Sequence, residues 1–170
     1  MAFVMWFLGL LGVAPTQEDF VRMDREFRER GHHLVIDFGG QRIGGTRWTD
    51  DNFDKLAVIG LGYEYLIDRH YHGVGFEVLG QSLGTLFKNG QTDNYFYIGG
   101  GLNYYPIRGV RLFTQGGATI SLDGANVEGV GRLGIGYRFQ FFQLGMQPYA
   151  YVQTTTNGQF GWLIGFRFQY

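Results

Sequence analysis

The sequence predicts an all-β protein, an eight-stranded antiparallel transmembrane β-barrel preceded by a short N-terminal amphipathic helix. Three observations carry that expectation. First, apolar and polar residues alternate with a period of two over most of the chain. That is the strand period, because successive side chains point to opposite faces. The clearest stretch is the last one. There Phe160, Trp162, Ile164, Phe166, Phe168 and Tyr170 share one face, and Gln159, Gly161, Leu163, Gly165, Arg167 and Gln169 share the other. Second, Gly accounts for 29 of 170 residues, far above the usual ~7%, without the triplet period of collagen. Third, Lys55 and Lys88 are the only lysines, against twelve arginines. A soluble barrel scatters Lys and Glu over its outside, and this chain has little with which to cover a wet exterior.

A chain of 170 residues is one domain's worth. A formal net charge of −1, with both signs mixed along the chain, gives no reason to expect a nucleic-acid partner. Cysteine is absent, which excludes disulfides and thiolate metal sites.

In chain order, residues 1–14 are almost wholly apolar. As a helix this segment would reach only ~20 Å, short of the ~30 Å hydrocarbon core, so it is not a spanning helix. It has the length of a signal-peptide hydrophobic region and ends in small residues, Gly12-Val13-Ala14. A signal-peptide remnant is expected, with a retained apolar anchor as the alternative. Residues 15–31 change period: Phe20, Met23 and Phe27 recur at helical spacing. Thr16 can cap this helix and Gly31 can end it, while Glu18 and Asp19 at the start and Arg28 and Arg30 at the end suit its dipole. The expectation is a short helix outside the barrel, either solvated at one barrel end or lying in the membrane interface.

Residues 32–170 read as the barrel, with strands near 33–45, 55–67, 72–83, 94–105, 109–121, 128–140, 143–154 and 159–170. Ile59, Leu61, Tyr63 and Tyr65 alternate with Gly60, Gly62 and Glu64. Phe96, Ile98, Leu102 and Tyr104 oppose Tyr95, Tyr97, Gly99, Gly101 and Asn103. Val110, Leu112, Ala118 and Ile120 oppose Arg111, Gln115, Gly117 and Thr119. Leu133, Ile135, Tyr137 and Phe139 oppose Arg132, Gly134, Gly136, Arg138 and Gln140. Polar loops rich in Asp, Asn or Gly alternate with tight turns at Asp68–Tyr71, Pro106–Arg108 and Phe141–Phe142. The polar face is mainly Gly, Tyr, Gln and Arg, which can fill the narrow interior of eight strands. The aromatic face would be costly in water, so it belongs against lipid.

The last strand resembles the C-terminal targeting strand of bacterial outer-membrane β-barrels, which ends on an aromatic residue with apolar residues at alternating positions before it. The architecture is similar to that of the small OmpA/OmpX/OmpW-like barrels. The resemblance implies a porin-like fold in the outer membrane of a Gram-negative cell envelope, with both termini periplasmic. It also implies outer-membrane lipid around the barrel and recognition of the last strand by the barrel-assembly machinery. Trp162, Ile164, Phe166, Phe168 and Tyr170 are the expected membrane-facing residues.

Asp37, Glu64 and Glu77 fall near the termini-side ends of the first three strands, and Arg111, Arg138 and Arg167 near those ends of the fifth, sixth and eighth. Across so narrow a lumen, acids on one wall can reach arginines on the other. Unpaired burial would be expensive, so a charge network is expected there. His32, His33, His70 and His72 cluster near the same rim, with Asp68 close by. Imidazoles beside a carboxylate can hold a metal, but this spacing carries little weight, and ordinary rim histidines are expected. The only serines, Ser82 and Ser121, lie towards the loop side, away from every His. A Ser-His-acid unit needs hydrogen-bond contact, so no catalytic residue and no cofactor is expected. The His-x-Ser pair of the small outer-membrane lipid A deacylases is absent. The lipid A palmitoyltransferase, which the chain resembles in its helix before eight strands, has a loop-side His without a counterpart here. The expected function is a non-enzymatic envelope protein, structural or interacting. A narrow channel for small or apolar solutes and a lipid-modifying enzyme are the alternatives.

Overall fold

The period-two pattern becomes nine stretches of strand that build eight staves. The computed structural model describes Glu18, Arg22 and residues 31–43, 54–69, 72–85, 94–107, 109–122, 126–141 and 144–170. The strands are β1 (His32–Ile43), β2 (Asp54–Arg69), β3 (His72–Thr85), β4 (Asn94–Ile107) and β5 (Val110–Ser121). They continue as β6 (Val127–Tyr137), β7 (Phe139–Phe141), β8 (Leu144–Thr155) and β9 (Phe160–Gln169). The apolar segment 1–14 and the helix expected over residues 15–31 lie outside the described residues, apart from Gly31 and the helical Glu18 and Arg22.

Every strand pairs antiparallel with its neighbour, and β1 pairs with β9 to close the ring. The seam runs from Val35 opposite Gln169 to Ile43 opposite Gly161. It is extended by reciprocal backbone bonds between Leu34 and Tyr170 at 2.9 and 3.0 Å. The sixth stave was expected to be continuous, and the structure breaks it at Arg138 into β6 and β7. The Arg138 amide leaves the ladder to bond the carbonyl of Gly109 at 2.6 Å. Gly109 turns there with φ of 83°, a conformation that glycine adopts without steric cost. The strand ends that precede and follow the short links, 70–71, 108–109 and 142–143, lie at the termini end. Those that flank the longer links, 44–53, 86–93, 122–126 and 156–159, lie at the other.

The two faces of the wall are inverted relative to a soluble protein. Leu61, Val78, Leu133 and Ile164 point outward at 60–64% exposure, whereas Asp37, Glu64, Arg111 and Gln147 point inward at 0%. Trp162, Ile164, Phe166, Phe168 and Tyr170 all lie on the outer face of the last stave. An apolar surface of this extent is intolerable in water and is what a bilayer requires. This is a transmembrane barrel.

Inside, glycines make room for large side chains. A Cβ on Gly134 would lie 2.6 Å from Cε1 of Phe113, and one on Gly62 would lie 2.9 Å from Cδ1 of Leu79. Towards the loop end Val58, Leu83, Val130 and Leu163 join these residues in an apolar cluster with Tyr97, Tyr149 and Tyr151. The wall is therefore thin where the filling is thick.

Candidate functional site

Inward-facing positions bring two tiers of polar side chains into the lumen. The tier nearer the termini is charged. Arg167 and Asp37 are direct partners across the closing seam. Nε of Arg167 donates to Oδ1 of Asp37 at 2.7 Å and Nη2 donates to Oδ2 at 2.9 Å, a bidentate arrangement. Nη1 of the same guanidinium reaches Oε2 of Glu77 at 2.5 Å. Arg111 donates from Nη2 to that oxygen at 2.7 Å. It also donates from Nε and Nη2 to Oδ1 of Asn103 at 3.0 and 2.7 Å, and from Nη1 to Oε1 of Gln147 at 3.3 Å.

Glu64 and Glu77 stand directly opposite each other on β2 and β3. Like charges at opposed positions repel. Asn103 separates them by donating from Nδ2 to both, at 2.5 Å to Oε1 of Glu64 and 3.0 Å to Oε2 of Glu77. Glu64 further accepts from the Tyr105 hydroxyl at 2.9 Å and from the Gln169 amide. Its donors are thus neutral, whereas an arginine partner had been expected. Gln115 donates to the other oxygen of Glu77. The Arg138 guanidinium lies over the Tyr105 ring, 5.1 Å from its centroid. Gly75 makes room for the Glu64 carboxylate, since a Cβ there would lie 2.6 Å from Oε1.

The tier nearer the loops is built on Arg132. Its guanidinium carbon lies 3.5 Å from the Tyr97 ring centroid and 4.8 Å from that of Tyr151. Nη1 donates to Oε1 of Gln81 at 2.6 Å and Nε to Oε1 of Gln153 at 3.2 Å. The Tyr151 hydroxyl donates to Oε1 of Gln41 at 3.0 Å. Gln81 joins the tiers, because its Nε2 donates to Oδ2 of Asp37 at 3.2 Å. One hydrogen-bonded chain therefore runs up the lumen through Gln169, Glu64, Asn103, Glu77, Arg167, Asp37, Gln81, Arg132 and Gln153.

The sequence puts Arg132 on the polar face but offers it no partner in the network. Its parity with Arg138 was the available signal, but no acid stands at its depth to suggest a partner. Asn103, Gln81 and the two tyrosines carried no charge signal at all.

The rim histidines separate. His32 and His33 are successive residues of one strand, so they face opposite sides of the wall. His32 is outside, its Nδ1 meeting the Tyr63 hydroxyl and its ring packing on Tyr65 at 4.8 Å. His33 is fully buried inside. This corrects the expectation that these two converge. The remaining members of that group, His70 and the side chains of Asp68 and His72, lie outside the described residues. Among the described residues no group of three or more His, Asp or Glu is placed to hold a metal ion. Ser82 points outward and Ser121 sits at the loop end of β5, away from His32 and His33 at the termini end.

No protein-family model matches the chain, and no curated protein matches it. Among solved structures it is similar to a barrel described under "De novo design of transmembrane beta-barrels", at 15% identity and a TM-score of 0.47, over 81% of this chain and 95% of that one. It is also similar to Ail, the attachment invasion locus protein of Yersinia pestis, at 14% identity and a TM-score of 0.47, over 82% of this chain and 99% of that one.

Proposed function

We propose that the chain is a sealed barrel of the bacterial outer membrane, serving the envelope as a structural or docking element rather than as a pore or an enzyme. The observation that carries this reading is the dryness of the lumen. A continuous water column would wet the side chains beside it, yet Asp37, Glu64, Asn103, Arg111, Gln147 and Gln169 are all 0% exposed. Charges so buried are held by other side chains, and their bidentate and shared contacts leave no aqueous gap between the acid and arginine walls. Contact with the surroundings then falls to the outer wall, which meets lipid, and to the two ends of the barrel. In this reading the termini are periplasmic, and the assembly machinery takes hold of the aromatic face of β9.

Planar-bilayer recordings of the refolded protein test the proposal. Little or no conductance is expected. Large, steady conductance would overturn the sealed barrel in favour of a narrow channel. A second arm tests the location: Tyr170→Ser should lower assembly in cells while leaving refolding in detergent nearly unchanged. Equal insertion of both forms in cells would count against recognition of that strand.

A further inference from the structure

The loop-side tier leaves a charge unanswered. Among the described residues, the buried carboxylates of the lumen, Asp37, Glu64 and Glu77, all stand in the charged tier. Arg111 and Arg167 engage Glu77 and Asp37 directly. Arg132 bonds only neutral amide oxygens, those of Gln81 and Gln153. Among the described residues the remaining inward carboxylate is Glu128, at the loop rim, where it accepts from Asn157 at 2.8 Å. Four residues of strand separate it from Arg132, roughly 13 Å.

The geometry around Arg132 narrows what can answer the charge. Tyr97 and Tyr151 cover the guanidinium with their rings, so no partner approaches from those sides. Two of its in-plane edges are taken by the glutamine oxygens. The third edge, Nη2, has no partner, although the residue is only 3% exposed. Further buried groups around this tier are unsatisfied: Nε2 of Gln41, the hydroxyls of Tyr97 and Tyr149, and Oε1 of Gln115, whose Nε2 is turned to Glu77. Gln41 is tethered through its other amide atom to Tyr151, whose ring lies against Arg132. Nη2 of Arg132, Nε2 of Gln41 and the Tyr97 hydroxyl can all donate, while the unmet Oε1 of Gln115 is neutral and cannot supply the missing charge. A buried donor without an acceptor is costly, and a buried cation without a counter-charge more so.

We propose that the loop-side tier binds one small monovalent inorganic anion, of halide size, at the Nη2 edge of Arg132, with Gln41 and Tyr97 as further donors. A halide suits the site because it accepts from several directions, donates nothing and brings the missing negative charge. A water would meet the donors but leave the charge unbalanced. The site differs from the charged tier, where Arg111 and Arg167 engage Glu77 and Asp37 directly. The inference concerns the lumen alone, so it holds or fails independently of which membrane the barrel occupies.

Bromide substitution tests it. Crystals of the refolded barrel transferred from chloride to bromide should show an anomalous peak within hydrogen-bonding distance of Arg132 Nη2, absent from Arg132→Gln. A non-anomalous water there overturns the proposal. In solution, thermal unfolding is compared between chloride and gluconate at equal ionic strength, gluconate being too large for the site. Chloride should raise the midpoint of the wild type by roughly 2–4 °C near saturation. Gln41→Leu, which retains Arg132 and its stacking, should weaken halide binding several-fold and require correspondingly more chloride for the same rise. Identical chloride dependence in the wild type and Gln41→Leu, or none in the wild type, would also overturn the assignment.

Discussion

The two tiers of the lumen hold buried arginines by different means. Near the termini, Arg111 and Arg167 are held by carboxylates, with one carboxylate oxygen of Glu77 shared between both guanidinium groups. Near the loops, Arg132 is held by aromatic faces and amide oxygens. The first arrangement is fragile, since removal of either member strands a charge in a dry tube. The second is tolerant, since its partners are neutral and lose only a hydrogen bond each. The same residue type should therefore respond very differently to the same substitution in the two places.

The largest effect is expected for Arg167→Met. It leaves Asp37 with only Gln81 and takes from Glu77 one of its two guanidinium partners, at a cost of about 3–5 kcal/mol. Urea unfolding in lipid vesicles measures this, and a loss near that of Arg132→Met would remove the distinction between tiers. Next comes Gly134→Ala, where a new methyl meets both the Phe113 ring and the backbone carbonyl of Ala150 at 2.6 Å. Overpacking there should cost roughly 1–3 kcal/mol. Gly116→Ala is its control, because that position faces outward with nothing within 4 Å. The control should be neutral or stabilising by up to ~1 kcal/mol. In gluconate buffer without halide, Arg132→Met should cost only about 1–2 kcal/mol, from the two glutamine oxygens left without a donor. The smallest effect is the coupling between tiers. A double-mutant cycle of Arg167→Met and Arg132→Met should show roughly 0.5–1 kcal/mol, abolished in a Gln81→Met background. Coupling that survives without Gln81 would mean that the tiers communicate through the wall rather than along the chain of side chains.

The difference between tiers also explains what the sequence could disclose. Parity alone separates the lipid face from the lumen face, because one register error would turn every apolar residue inward. The eight staves and the seam followed from it, and so did the inward placement of Asp37, Glu77, Arg111 and Arg167. Charge then suggested partners, since opposite signs at similar depth on one face have few alternatives. Glu64 shows the limit. Its partners are neutral donors whose reach depends on rotamers and on the space that Gly75 leaves beside it. The stacking of Tyr97 and Tyr151 on Arg132 is a matter of tilt and stagger among β4, β6 and β8, of which only β6 and β8 pair. Periodicity carries no information on that. The break at Arg138 was equally hidden, because it depends on a single turn glycine on the neighbouring stave.

The seam between β1 and β9 has a consequence for how the protein comes to exist. It joins residues from nearly opposite ends of the described chain, and its strongest side-chain contact, Asp37 with Arg167, straddles it. Every other strand pair can form from a hairpin, whereas this one must wait for all of them. Until it closes, β1 and β9 each present a row of unpaired amides and carbonyls that hydrocarbon cannot solvate. An open sheet is thus excluded from the bilayer interior as firmly as the closed barrel is excluded from water. Insertion and closure are then a single event, with a long-range contact as its slow step.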